Sequence, residues 1–313
     1  MDNLTPRPGH EILPEEAPLG MPVQDLACAP PSRLAPPVPP LMWLRRLLVV
    51  GGALALTAAA TAEMSLVLGL ARFTVTGLAL TALFGVLFLL LALSFTSALA
   101  GLPALLSRPR PADAPLPRTR TALLMPVYNE DMARIAPALA AMRAALASAG
   151  ATPWFDLFVL SDSTDPARQE AEWAAARMLR TIPGPALYYR HRPQNTDRKA
   201  GNIAEWVTRF GGDYPQFLIL DADSLMEAET LLALVAAMEK QPDTALIQTL
   251  PVLTGAETLF ARLQQFASAA YGPLIAAGIA AWHGAEGNYW GHNALIRTRA
   301  FAGACGLPHL PGS

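Results

Sequence analysis

Two long uncharged runs stand near the start of the chain, and beyond them short apolar stretches alternate with helical ones. Residues 47–62 carry no charge and follow Arg45-Arg46. With the apolar residues on either side, this stretch is long enough to cross a hydrocarbon layer of about 30 Å. A second uncharged run covers 73–107 and is most apolar over 77–99. A soluble helix of that length needs a polar face, and this run has none. Arg33, Arg45 and Arg46 precede the pair, whereas Arg108, Arg110, Arg118 and Arg120 follow it. Only Glu63 and Arg72 are charged in between. The bias in basic residues predicts a helical hairpin through a lipid bilayer with both flanks cytoplasmic.

After residue 120 the period changes. Residues 121–127, 155–160, 187–190, 217–221 and 244–250 read as strands. Helical patterns over 131–149, 199–210 and 228–240 lie among them, and Asp165-Pro166 starts one more. Repeated βα units predict an α/β domain with a mostly parallel sheet and helices on both faces. Residues 257–281 read as a long helix with Leu259, Leu263, Phe266 and Ala270 on one face, packed on the sheet or lying at a membrane interface. Residues 288–297 read as a turn into another strand. The expected organisation is a disordered proline-rich tail over 1–40, two membrane helices over 41–100, a proline-rich linker over 101–118, and a cytoplasmic domain over 119–313.

Composition sharpens this picture in few places. An apolar content of 52% with 15% charged residues is too greasy for a soluble domain, and the two spans account for the excess. A formal net charge of −2 gives no reason to expect nucleic acid. Two cysteines, Cys28 and Cys305, make neither a disulfide framework nor a zinc cluster. The dinucleotide and P-loop glycine fingerprints are absent.

The chemistry gathers at strand ends. The apolar strand 217–221 closes on Asp221-Ala222-Asp223. In a strictly extended backbone both carboxylates point the same way, as a hard cation such as Mg2+ or Mn2+ requires. The alternative is that Asp223 caps a helix starting near Met226. Tyr128-Asn129-Glu130, Asp162 and Arg198-Lys199 also fall at strand ends or just after them. A parallel sheet brings such ends to one edge. A nucleoside diphosphate sugar suits the set, with carboxylates for base and ribose, a cation for the diphosphate and a lysine as point charge.

These strings resemble a known family. Pro126-Val127-Tyr128-Asn129-Glu130, Asp162, Arg198-Lys199-Ala200-Gly201-Asn202 and Asp221-Ala222-Asp223 look like the inverting family 2 glycosyltransferases with a GT-A (Rossmann-like) fold. Residues 160–166 (LSDSTDP) and 286–293 (EGNYWGHN) resemble, more narrowly, the glucans biosynthesis glucosyltransferase H group. That resemblance implies a multi-pass enzyme of the bacterial inner membrane with a cytoplasmic catalytic domain. It also implies UDP-glucose as donor and a growing β-1,2-glucan, the backbone of osmoregulated periplasmic glucans, as acceptor. Whether a carrier protein takes part is not written in the residues.

By position, the resemblance gives Asp162 to uracil, Tyr128, Glu130 and Lys199 to the nucleotide sugar, Asp221 to the UDP moiety and Asp223 to the metal. Trp290, Gly291, His292 and Asn293 stand where relatives form the acceptor floor. The family's catalytic base is an aspartate in a later acidic motif, and no aspartate follows Asp243 here. The chain therefore reads as an amino-terminal portion that holds the donor half, with the base beyond Ser313. Within the chain, Glu286 is the candidate that remains. Two alternatives stay open: another processive family 2 synthase, such as a cellulose-like one, or a UDP-sugar-binding fragment without turnover.

Overall fold

The computed structural model describes residues 11–25, 27–28, 40–69, 74–107 and 114–308. They fall into two compact units. One comprises Met1–Leu34, Pro111–Thr249 and Tyr289–Ser313, and the other Ala35–Arg110 and Leu250–Asn288.

The first unit is built on six strands: β1 (Thr121–Val127), β2 (Phe155–Ser161), β3 (Ala186–His191), β4 (Gln216–Ile219), β5 (Leu246–Gln248) and β6 (Ala294–Arg297). Their order across the sheet is β3-β2-β1-β4-β6-β5. The first four run parallel, while β6 runs antiparallel to both β4 and β5. β1, β2 and β4 are almost wholly buried, which is why they read as unbroken apolar runs. One face carries α4 (Met132–Ser148), α5 (Pro166–Arg180) and α7 (Ala228–Lys240) around a core of Leu139, Met142, Leu179 and Val235. The other carries α6 (Arg198–Phe210), whose Trp206 and Phe210 pack with Phe158, Tyr214 and Phe217. Burying one such side chain contributes on the order of 1.5–3 kcal/mol. A short helix, α9 (Thr298–Ala304), follows β6 and was not evident from the sequence.

The tail departs from expectation. Residues 11–25 run extended along this unit rather than as a free proline-rich segment. Ile12 exchanges both backbone hydrogen bonds with Tyr189 on the edge strand β3, each 2.9 Å long. Ala17 N donates to Arg209 O at 2.9 Å, and Gly212 N to Ala17 O at 2.8 Å. Leu13, Leu19 and Met21 pack against the aromatic core. A Cβ at Gly306 would lie 2.1 Å from Pro22 O, so only glycine allows that approach. Backbone pairing, a few apolar anchors and the Glu16–Arg209 ion pair hold this strap, and none of them leaves a periodic signal.

The second unit holds α1 (Met42–Arg46), a π-helical turn over Leu47–Gly51, α2 (Gly52–Val67), α3 (Val75–Leu106) and α8 (Leu259–His283). The stretch Met42–Val67 and α3, of 26 and 32 residues, are long and apolar enough to cross a membrane. α8 packs on α3, not on the sheet as one reading of its apolar face suggested. Contact is close because both helices place glycine there. A Cβ at Gly278 would sit 2.1 Å from Ser97 O, and one at Gly101 2.3 Å from Gly278 N. Trp282 Nε1 adds a hydrogen bond to Ser97 Oγ at 3.1 Å. Residues 250–288 thus cluster with the apolar helices, although the sequence assigned them to the catalytic domain.

Candidate active site

β1 lies between β2 and β4, so the winding of the chain reverses at β1. Open α/β sheets form ligand crevices beyond the carboxyl ends of strands at such a point. A cavity of about 730 Å3 lies there, lined by Tyr128, Glu130, Asp162, Lys199, Asp221 and Asp223, together with Arg134, Asn195 and Arg198. Of the five non-glycine residues with positive φ among the described residues, Asn129, Asp197, Arg198 and Asn293 stand in the surrounding loops. Strained backbone of this kind persists where neighbouring contacts impose it.

The loops after β1 and β2 are locked together. Asn129 N donates to Ser163 Oγ at 2.7 Å, while Asn129 Oδ1 accepts from the amides of Thr164 and Asp165, both at 3.0 Å. Ser163 Oγ in turn donates to the fully buried Glu172 at 2.5 Å, and Tyr189 OH donates to the same carboxylate at 3.0 Å. Burial first, and Glu172 second, push the Tyr189 phenol well above its ordinary range. This network fixes where Tyr128, Glu130 and Asp162 emerge.

The β3 loop is held by two arginines. Buried Arg192 meets Asp162 with a two-pronged pair, Nε to Oδ1 and Nη2 to Oδ2, both at 2.7 Å. Loss of either partner from such a pair costs roughly 3–5 kcal/mol because the other charge is stranded. Arg190, 1% exposed, donates to the carbonyl of Asn202 at 3.1 Å and to its Oδ1. Burial lowers its guanidinium to about 10. Asn202 Nδ2 reaches Leu160 O at 3.1 Å, which ties the start of α6 to β2.

After β4 the chain turns instead of staying extended. Ser224 N donates to Asp221 O at 2.9 Å, and Ala222 and Asp223 occupy the turn. The two carboxylates therefore do not owe their placement to the pleat. The capping alternative fails as well, because α7 starts at Ala228 with Glu227 at its N-cap. Lys199 Nζ donates to Asp221 Oδ1 and, at 3.3 Å, to Gly291 O. Burial, with the Asp221 charge second, pushes the Tyr289 phenol up to about 12, so it remains a neutral donor at physiological pH.

A family model described as Glycosyl transferase family 2 matches residues 122–303. The chain belongs to that family. It is 48% identical over 314 aligned positions to a protein of Xanthomonas campestris pv. campestris named glucans biosynthesis glucosyltransferase H, covering 97% of this chain and 49% of that one. A protein of the same name from Rhodopseudomonas palustris (strain BisA53) is 50% identical over 309 positions, covering 96% and 43%. The chain thus spans about half the length of the curated relatives it matches. Among solved structures it is similar to a mannosyltransferase from Pyrobaculum calidifontis in complex with GDP-Man and Mn2+, at 17% identity and a TM-score of 0.37 over 60% of this chain and 46% of that one.

In this family 2 domain, all six residues expected at the donor line the one cavity. The expected acceptor segment meets one of the lining residues at Gly291, whose carbonyl accepts from Lys199. Trp290 N donates to Gln248 Oε1 at 3.1 Å and Asn293 N to Ile219 O at 2.8 Å. The buried Nδ1 of His292 and Oδ1 of Asn293 have no hydrogen-bond partner among the described residues. Glu286 belongs to the helical unit, where it pairs with Arg46 at 2.5 Å. Sequence reasoning passed over Arg134, Asn195, Arg190, Arg192 and Glu172. One signal was available for Arg192: pairing Ser161 with His191 in the parallel register sets residue 192 beside Asp162.

No three His, Cys, Asp or Glu side chains gather as a metal cluster among the described residues. Asp221 and Asp223 nevertheless fit Mg2+ or Mn2+, which accept one or two carboxylates and complete their shells with water and phosphate oxygens.

Proposed function

We propose that this chain carries the donor half of a membrane glucosyltransferase that uses UDP-glucose to extend a β-1,2-linked glucan, the backbone of osmoregulated periplasmic glucans. The observation that carries this reading is the joint placement of Tyr128, Glu130, Asp162, Lys199, Asp221 and Asp223 around one cavity at the sheet's switch point. The kinship to proteins named glucans biosynthesis glucosyltransferase H supports the choice of glucose and of glucan.

In this reading the uracil and ribose lie between the β1 and β2 loops, where Asp162 and Glu130 accept hydrogen bonds from N–H and O–H groups. The diphosphate faces Lys199, with Arg134 and Arg198 as further cations on the wall. Asp223, with Asp221, would hold a divalent cation, which when bound neutralises charge on the departing diphosphate. Lys199 leaves Asp221 for a phosphate oxygen as the donor enters. Trp290–Asn293 offer a surface for the acceptor sugar, with His292 Nδ1 and Asn293 Oδ1 as polar groups in want of a partner. Inversion at the anomeric carbon requires an acceptor hydroxyl that loses its proton to a base on the face opposite UDP. Glu286, paired with Arg46, is not proposed for that role. The helical unit sits in the bacterial inner membrane with the α/β unit cytoplasmic.

Equilibrium binding of UDP, GDP and ADP to the purified chain in the presence of Mn2+ tests the donor. UDP is expected to bind tightest by at least about tenfold, since a site built to pair with one base rejects others strongly. Equal affinity for all three sinks the uridine reading. Incubation of a preparation active in transfer with radiolabelled UDP-glucose, followed by linkage analysis, tests the product, and a β-1,4 product would favour a cellulose-like synthase.

A further inference from the structure

We infer that Arg192 is the positioning residue of the donor site, the group that holds the 193–199 loop in the form that presents Arg198 and Lys199 to the cavity. The inference deepens the donor reading above and rests on it. Arg192 is 6% exposed and makes no part of the cavity wall. Its guanidinium instead joins three pieces of backbone. Two N–H groups grip Asp162, which stands just past the end of β2, at 2.7 Å each. Nη1 donates to Thr196 O at 3.2 Å, and Nη2 donates to Arg198 O at 3.1 Å. Its own amide continues the β3 ladder by donating to Ser161 O at 2.9 Å.

The loop needs such a hold. Asp197 and Arg198 have φ of 56° and 50°, left-handed values that L side chains disfavour. Two in succession do not persist unless contacts impose them. The loop also folds tightly over the first turn of α6: a Cβ at Gly201 would lie 2.2 Å from Thr196 O. Glycine there permits the fold, and Arg192 holds the two carbonyls that define it. Only a planar fork can satisfy a carboxylate with two parallel bonds while reaching two carbonyls, so lysine is no substitute. Asp162 then has two roles. It lines the cavity, and its charge fixes the arginine that orders the loop behind Lys199.

The test uses the full chain in detergent and two readouts. Amide hydrogen exchange is measured without ligand on wild type, Arg192→Lys and Arg192→Gln. Exchange over 195–201 is expected to speed up by at least about tenfold more than exchange in β1, β2 and β4, since local opening is separable from global unfolding. UDP affinity is then measured for Arg192→Lys, Lys199→Met and the double variant. Arg192→Lys is expected to weaken UDP by about tenfold in the wild-type background and by much less beside Lys199→Met, because neighbouring groups that act as one unit are not additive. Unchanged exchange over 195–201, or fully additive losses, would overturn the proposal. Loosening in Arg192→Lys combined with no UDP binding by the wild-type chain would support the positioning role and overturn the donor reading.

Discussion

Lys199 Nζ donates to the Asp221 carboxylate across the cavity floor, a cation from the start of α6 meeting an anion from the end of β4. Both side chains are more than a third exposed, at 42% and 37%. An ion pair so wet contributes about 0–1 kcal/mol to stability. Lys199 also donates to Gly291 O, and the pair contributes little to the fold.

Lys199→Met should leave the thermal midpoint within a few degrees of wild type yet weaken UDP binding by roughly tenfold or more, the effect of losing a charge-assisted bond to phosphate. Calorimetry and titration on the same preparation check this. A large fall in the midpoint with UDP affinity intact would make the pair structural.

Donor binding is expected to depend on a divalent cation through Asp223, which is exposed and has no ion pair among the described residues. Asp223→Asn keeps the shape and removes the charge, and an amide is a poor ligand for a hard cation. Mn2+-dependent UDP affinity should fall at least about tenfold, whereas affinity measured with chelator should be nearly equal in mutant and wild type. Equal affinities in the presence of Mn2+ would remove the metal role from Asp223.

What was legible in the sequence follows from what local pattern encodes. β1, β2, β4 and their helices were readable because strands buried on both faces are apolar throughout, and caps such as Asp165 are local chemistry. The gathering of Tyr128, Glu130, Asp162, Lys199, Asp221 and Asp223 around one cavity was readable because parallel strands deliver their ends to one edge. The geometry within that edge was not. Asp221-Ala222-Asp223 read as extended, yet a turn from Asp221 to Ser224 sets it. Arg192 was passed over, because its partner lies 30 residues upstream. Inserting β6 antiparallel between β4 and β5 depends on pairing that no window of sequence contains.

The strap formed by residues 11–25 should resist removal. Backbone hydrogen bonds tie it to β3 and to the end of α6, Glu16 accepts from Arg209 Nε at 2.8 Å, and Leu13, Leu19 and Met21 cover part of the aromatic core. Gly306→Val brings side-chain carbon onto Pro22 O and should detach its later part, around Val23. The measurable outcome is faster proteolysis within residues 16–25 and a loss of about 1–3 kcal/mol in unfolding free energy, the usual cost of overpacking. Cleavage at the wild-type rate would mean that the strap holds without that contact.

α2 and α3 are expected to cross the bilayer in opposite directions with both flanks cytoplasmic. Leu83, Val86, Leu87, Leu90, Leu91 and Phe95 on α3 are each more than half exposed. An apolar surface of that extent is not tolerated by a soluble chain, whereas lipid covers it at no penalty. Three hydroxyls of these helices are satisfied inside their own helix, as lipid favours: Thr57 Oγ1 donates to Ala53 O, Thr81 Oγ1 to Gly77 O and Ser94 Oγ to Leu90 O, at 2.8–2.9 Å. Direction follows from charge. Arg45 and Arg46 precede the first helix, Arg108 and Arg110 follow the second, and only Glu63 and Arg72 are charged between them. Basic residues stay on the cytoplasmic side, each retained by the membrane potential at about 2.3 kcal/mol per 100 mV. Alkaline phosphatase, active only when exported, should therefore be active when fused at Arg72 and silent when fused at Pro111. The reverse pattern, or activity at both positions, would overturn this topology and with it the cytoplasmic placement of the cavity.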